Sequence, residues 1–170
     1  MSMKVISGSI ESHKDMLHDI ATKEFFQSLT KEEEKLLSKL LRQDYSEHSP
    51  DFLGFISHYW KMSKIIPKNK QIVDVGCNVG FQSLFFKNHH SYIGIDPMEI
   101  NRRFYSGRSH HYRGHVADHS YFEERNISKD SFCFCVAVPS NEAQEAVMDH
   151  FDNYYVWYPG WKESKGNSSH

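Results

Sequence analysis

The sequence predicts an α/β domain: a mostly parallel sheet of about five strands with helices on both faces, preceded by N-terminal helices. Three observations lead there. After Lys70, short β-branched and aromatic runs alternate with amphipathic pieces, the pattern of parallel strands joined by helical crossovers. Ser131-Phe-Cys-Phe-Cys-Val-Ala-Val138 is an almost unbroken apolar run, as a central strand covered on both sides requires. Gln71-Ile-Val-Asp-Val75 runs directly into Gly-Cys-Asn-Val-Gly80, a strand feeding a glycine-bearing turn that opens a helix.

Taken in order, residues 1–67 read as a helical lid or extension, 68–161 as the α/β domain and 162–170 as a polar, disordered tail. A first helix is expected over about 12–29. Thr30-Lys-Glu-Glu33 is a capping-box pattern, and Leu36, Leu37, Leu40 and Leu41 then form one apolar stripe at helical spacing. Ser49 before Pro50 is a good N-cap with proline at the first helical position. That helix carries Phe52, Leu53, Phe55, Ile56, Tyr59 and Trp60, and Pro67 stops it. From Gln71 the expected order is strand 71–75, helix 81–87, strand 92–95, helix 97–105, strand 111–116, short helix 121–125, strand 131–138, helix 142–150 and strand 154–158.

Composition narrows the function. With 170 residues, 39% hydrophobic and 25% charged, the chain suits one core, and a net charge of −2 excludes a globally polyanion-seeking surface. The three cysteines, Cys77, Cys133 and Cys135, lack the paired spacing of a zinc site, which points to a reduced, cytoplasmic setting. No run approaches the roughly 18 apolar residues a membrane helix needs, so no membrane partner is expected.

The glycine turn is the chemical centre. Free N–H groups at a strand–turn–helix junction suit an anionic ligand, and Asp96, closing Tyr92-Ile-Gly-Ile-Asp96, stands where an acid accepts hydrogen bonds from a ribose diol. The dinucleotide spacing G-x-G-x-x-G would fall on Gly76, Asn78 and Phe81, and Phe81 is a poor substitute for the glycine that lets helix and strand pack closely. The spacing G-x-G-x-G falls on Gly76, Asn78 and Gly80, with asparagine the mildest exception because it tolerates left-handed backbone angles.

On these residues the chain resembles the class I, Rossmann-like S-adenosylmethionine-dependent methyltransferases. Ile72-Val-Asp-Val-Gly-Cys-Asn-Val-Gly80 is similar to their first motif and Tyr92-Ile-Gly-Ile-Asp-Pro97 to their second, and the match covers residues 71–158. The resemblance implies S-adenosyl-L-methionine as cofactor. Asp74 would hold the methionyl ammonium, directly or through water, and the backbone of Gly76, Cys77, Asn78 and Gly80 would wrap the methionyl part. Asp96 would take both ribose hydroxyls, Pro97 and Met98 would flank the adenine, and Asp118, with His119 beside it, would read the adenine amino group.

Each residue also has a plain structural role to weigh. Asp96 and Asp118 could cap the helices that follow them, whereas Asp74, among Ile72, Val73 and Val75, is costly to bury without a partner. The histidine doublets His89-His90 and His110-His111 point to opposite strand faces and make poor ligand pairs, so no metal is expected. Cys133 and Cys135 share a face of a buried strand and read as core. Residues 101–114 hold four arginines, no acid and interleaved aromatics; such a mix can grip phosphates and stack bases, or simply form a solvated helix face and loop.

Methyl transfer needs an acceptor held near the methyl and shielded from water. The fourth strand of the α/β unit ends in Val138-Pro-Ser-Asn141, not the Asn/Asp-Pro-Pro-aromatic motif of amino-methylating nucleic-acid enzymes in that family. Ser140, Asn141, His119, His58 and Tyr59 stand where an unidentified acceptor would approach. The chain ends soon after the fifth strand where the family sheet has seven, so that edge is expected to be covered by the N-terminal helices, a second copy or a partner subunit. The expected function is an S-adenosylmethionine-dependent methyltransferase. The alternatives are a non-catalytic S-adenosylmethionine-binding partner or sensor module and, disfavoured by Phe81, an NAD-dependent oxidoreductase.

Overall fold

The structure, a computed structural model, describes residues 3–7, 20–43, 50–136 and 138–157, with residues 5–7, 41–43, 50–55 and 57 described by backbone alone. The chain forms two compact units, residues 10–66 and residues 1–9 together with 67–170. Among the described residues no helix is long and apolar enough to cross a membrane.

The first unit contains α1 (Ile20–Ser28), α2 (Lys31–Gln43) and α3 (Pro50–Ile65). The capping box at the head of α2 forms as its sequence predicts. Thr30 N donates to Glu33 Oε1 at 2.8 Å and Glu33 N to Thr30 Oγ1 at 3.1 Å, satisfying two otherwise orphan donors. Leu37 is fully buried, with Leu36 and Leu40 half-buried beside it, while the side chain of Leu41 lies outside the described residues. Helices α1 and α3 join through Phe25, whose ring centroid lies 5.6 Å from that of Trp60, and Trp60 Nε1 donates to Glu24 Oε2 at 3.1 Å. Ile56 and Tyr59 of α3 are buried, whereas Ser49 and the side chains of Phe52, Leu53 and Phe55 lie outside the described residues.

The second unit is a Rossmann-like sheet of six parallel strands in the order β1 (Lys4–Ser7), β6 (Asn153–Trp157), β5 (Phe132–Val136), β2 (Gln71–Val75), β3 (Ser91–Asp96), β4 (Ser109–Arg113). The five strands expected from Gln71 onward are all present, and β1 is an addition. It pairs with β6 from Lys4–Tyr154 to Ser7–Trp157, so the edge expected to need helices or a second chain is filled by a strand from the chain's own beginning. Four residues are too short to show periodicity; pairing with β6, not intrinsic preference, makes them a strand. Asn153 Oδ1 accepts from Met3 N at 3.0 Å and Tyr154 N donates to Met3 O at 2.8 Å, anchoring that pairing.

The crossovers are slighter than expected. The helix predicted over 81–87 is a 3₁₀ helix, Phe81–Phe86, and that predicted over 97–105 shrinks to the single 3₁₀ turn Arg102–Phe104. Helices α4 (Tyr121–Glu124) and α5 (Asn141–His150) follow the sequence reading closely. Strand alternation sends Val73, Val75, Ile93, Ile95, Cys133 and Cys135 to one face, where they meet Phe122, Ala143, Ala146, Val147 and Phe151. The opposite face carries Asp74, Tyr92 and Phe134, with Phe86 stacked on Tyr92 at 6.1 Å and tilted against Phe134 at 5.3 Å.

Two measurements check this architecture. Deleting residues 1–7 should speed amide exchange throughout Asn153–Trp157 without touching exchange in β2 or β3; unaltered β6 exchange would contradict the β1–β6 pairing. Phe122, fully buried among His150, Phe151 and Tyr121, should cost about 3–5 kcal/mol when changed to Ala, read from urea unfolding.

Candidate functional site

The chain leaves β2 and adds β3 and β4 outward on one side, then returns past β2 to lay β5 on the other. Loops after β2 and β5 therefore part in opposite directions at the carboxyl ends of the strands, the place where open α/β sheets form a ligand crevice. The Gly76–Gly80 turn follows β2 there. Its backbone requires the residues present: φ is 85° at Gly76, 55° at Asn78 and 101° at Gly80, all left-handed. A Cβ on Gly76 would also fall 2.7 Å from Val138 Cγ2, across the crevice.

The turn is fastened to the tip of β3. Gly76 N donates to Ile95 O at 2.8 Å and Asn78 N to Asp96 Oδ2 at 2.9 Å, while Asp96 Oδ1 accepts from Met98 N at 2.8 Å. Asp96 thus spends one acceptor position of each oxygen on backbone N–H groups and is 8% exposed. A carboxylate has about four lone-pair sites, so both oxygens retain acceptor capacity.

Asp74 is fully buried on the other side of the same turn. Its Oδ2 accepts from Tyr92 Oη at 2.5 Å and from Gln82 Nε2 at 2.9 Å, and Gln82 Oε1 accepts from Asn78 Nδ2 at 2.9 Å. Asn78 therefore joins both acids, Asp96 by its backbone and Asp74 by its side chain through Gln82. The sequence reading missed Tyr92 and Gln82. Parallel pairing of Ile72 with Tyr92 and Asp74 with Gly94 brings Tyr92 to the Asp74 face, a register that sequence does not display.

Gly94 is a missed signal that was present. A glycine inside a strand marks close approach. Here a Cβ would overlap the Tyr105 hydroxyl and come within 2.8 Å of Cys77 Sγ, and one on Gly80 would stand 2.8 Å from Tyr105 Cε1. The Tyr105 ring thus lies across both glycines. Its Oη is 3.9 Å from Cys77 Sγ and 3.5 Å from His111 Nδ1, and Cys77 Sγ is 3.7 Å from His111 Nδ1. Burial, reinforced by the charges of Asp74 and Asp96, pushes the Cys77 thiol far up, so it stays protonated and is no resting nucleophile. Burial raises Tyr92 and Tyr105 in the same way, and lowers His111 below its ordinary 6.5.

The remaining expected site residues are more dispersed. Pro97 and Met98 follow Asp96 at the surface, Met98 48% exposed, and Pro97 O accepts from Arg113 Nε at 3.1 Å. Asp118 is exposed and opens α4, its Oδ1 accepting from Ser120 N at 2.9 Å and Ser120 Oγ at 2.7 Å; these bonds hold its carboxyl below the ordinary range. His119 Nδ1 lies 2.8 Å from Asp149 Oδ2. Ser140 caps α5, its Oγ accepting from Ala143 N at 3.2 Å, and Asn141 is exposed. Tyr59 is buried and His58 half-buried within the helical unit. A cavity of about 140 Å³ touches Ser91, Tyr92 and Ser109 toward the opposite strand ends, below the ~300 Å³ at which ligand pockets begin.

No protein-family model, curated protein or solved structure matches the chain. The site is therefore judged on its own chemistry. It offers a left-handed turn at the switch point, a carboxylate with spare acceptor capacity at the neighbouring strand tip, and a buried acid linked to both.

Two outcomes test this geometry. Asn78→Gly keeps the backbone but removes the link to Gln82 and should cost about 1 kcal/mol, whereas Asn78→Val adds left-handed strain and should cost about 1–2 kcal/mol more in urea unfolding. Equal stabilities would contradict the linking role. Stability should also be greatest between the ordinary values of His111, 6.5, and the cysteine thiols, 9.0. His111 is lowered on folding, so its contribution is present above 6.5 and lost as pH falls; Cys77, Cys133 and Cys135 are raised, Cys135 to about 12, so theirs is present below 9.0 and lost as pH rises. His111→Gln should flatten the decline below 6.5 and leave the alkaline limb intact, read from denaturation midpoints across pH.

Proposed function

We propose that the chain binds S-adenosyl-L-methionine across the Gly76–Gly80 turn and Asp96 and acts as a methyltransferase on an acceptor not yet identified. The observation that carries this reading is the clamp itself: a left-handed turn at the sheet's switch point, fastened to an acid at the adjacent strand tip. The donor set fits the cofactor. Asp96 keeps an acceptor position on each oxygen for a ribose diol, and Met98, exposed next to it, offers an apolar flank for adenine. Phe81, fully buried after the turn, replaces the glycine a dinucleotide fingerprint requires and supports this cofactor over NAD.

When bound, S-adenosylmethionine supplies an electrophilic methyl on a sulfonium. The chain's own part is positional. Asp96 orients the ribose, the turn backbone lines the methionyl portion, and Val138 beside Gly76 narrows the crevice against water. Asp74, fully buried and held by Tyr92 and Gln82, supports the turn through Asn78 and acts on the cofactor through that chain instead of by direct contact.

That burial also favours a second reading, a binding module without turnover, because the acid expected at the methionyl ammonium is committed to the fold. Calorimetry with S-adenosylmethionine, S-adenosylhomocysteine and NAD separates the cofactor classes, and methyl release from labelled cofactor over protein, RNA and small-molecule pools separates enzyme from module. Asp96→Asn, which keeps one carbonyl acceptor, should weaken S-adenosylmethionine roughly tenfold or more while the fold persists. Affinity equal to wild type would remove Asp96 from the site, and NAD binding in preference to both sulfur cofactors would end the proposal.

A further inference from the structure

The cavity of about 140 Å³ at the amino ends of β3 and β4 has an aromatic wall and a cationic mouth. Phe86 and Tyr92 stack at 6.1 Å with 20° between their planes, Phe104 lines the same wall, and all three are buried. The Tyr92 hydroxyl is committed to Asp74, so the wall presents ring surface. Ser83 and His89 complete it: Ser83 Oγ donates to Gly80 O at 2.8 Å and Phe104 O at 2.7 Å, and His89 meets Phe86 edge to face at 5.4 Å. About 150 Å³ holds one benzene ring, so a cavity of this size takes a single ring and excludes a nucleotide.

The mouth is a surplus of donors. Arg108, from the basic run 101–114, is exposed there beside half-buried Lys87, and no acid lines the cavity among the described residues. Arg108 Nη2 donates to Lys87 O at 3.0 Å, which holds the guanidinium in place with four of its five N–H donors left over. The serine oxygens at the mouth are already used as acceptors: Ser91 Oγ accepts from Gln71 Nε2 at 3.1 Å, Ser106 Oγ from Arg108 N at 3.2 Å and Ser109 Oγ from Ser106 N at 3.3 Å. Their protons are not. The Ser106 and Ser109 hydroxyls lie 3.3 Å apart, so one can donate to the other, which leaves the second proton of that pair and the Ser91 proton without an acceptor among the described residues.

We propose that this cavity binds a small aromatic carboxylate of about the size of benzoate, its ring against Phe86, Tyr92 and Phe104 and its carboxylate on Arg108 and the serine hydroxyls. Unspent donors around a guanidinium, with no carboxylate of the chain's own, call for an acceptor-rich anion. The rings call for an apolar body. A bare inorganic oxyanion would satisfy the mouth but would give up hydration against the aromatic wall for nothing in return. The site lies away from the crevice at the carboxyl ends of the strands, and its test uses no cofactor.

Amide NMR of the full chain titrated with benzoate should give saturable shifts at Ser91, Tyr92 and residues 104–109, with Gly76–Asn78 unmoved. Benzyl alcohol, the same ring without the charge, should bind about tenfold more weakly, as loss of a charged hydrogen bond requires. Arg108→Gln, at an exposed position, should bring benzoate down to the level of benzyl alcohol and leave benzyl alcohol within about twofold of its wild-type affinity. Absence of saturable shifts at the cavity, equal affinity for benzoate and benzyl alcohol, or benzoate affinity unchanged by Arg108→Gln would overturn the proposal. Displacement of benzoate by an equal concentration of inorganic phosphate would also overturn it, by reassigning the mouth to a bare oxyanion.

Discussion

Asn78 is the residue through which the site holds together. Its backbone N–H reaches Asp96 on β3, and its side-chain amide reaches Gln82, which in turn holds Asp74 on β2. Both bonds exist only because the residue sits at φ 55°, a conformation in which asparagine is among the least strained side chains. The glycine on which the G-x-G-x-G spacing would place a bare backbone could supply the first link but not the second. The turn is thus fastened through one residue to acids on two neighbouring strands.

That fastening answers the burial of Asp74. A carboxylate with no solvent exposure costs several kcal/mol unless its oxygens are bonded. Tyr92 and Gln82 supply those bonds from β3 and from the 3₁₀ helix after the turn, so the acid organises three successive elements. The same packing fixes the neighbouring Tyr105–Cys77–His111 group, where Gly94 and Gly80 leave room for one aromatic ring across the strand and turn. Buried in this way, Cys77 belongs to the support of the turn and not to covalent chemistry.

Much of the fold was legible from Gln71 onward because burial on both faces leaves a strong sequence trace. Phe132–Val136 is a continuous apolar run, Ile72–Val75 is apolar but for Asp74, and α5 shows helical spacing with a serine cap. The capping box at Thr30 was readable for a local reason: both of its hydrogen bonds join residues three apart. The crossovers after β2 and β3 were overread. Phe81–Phe86 is buried along its whole length, and a helix buried all round shows no amphipathic period from which its geometry could be read. Strand β1 left no trace, since four residues become a strand only when Asn153 and the β6 edge are in place.

By itself the sequence determined the α/β class, the left-handed turn and the placing of Asp96 at a strand tip, because each follows from contacts within one strand–turn–helix unit. Tertiary structure decided which acid remains open. Only the parallel register of β2 with β3 brings Tyr92 to the face of Asp74, and only the fold of residues 101–113 into a turn and an edge strand, not a helix, sets Arg108 against Lys87 O and Arg113 against Pro97 O. Residues distant in sequence meet through strand pairing, and pairing register is a property of the assembled sheet, not of any one segment.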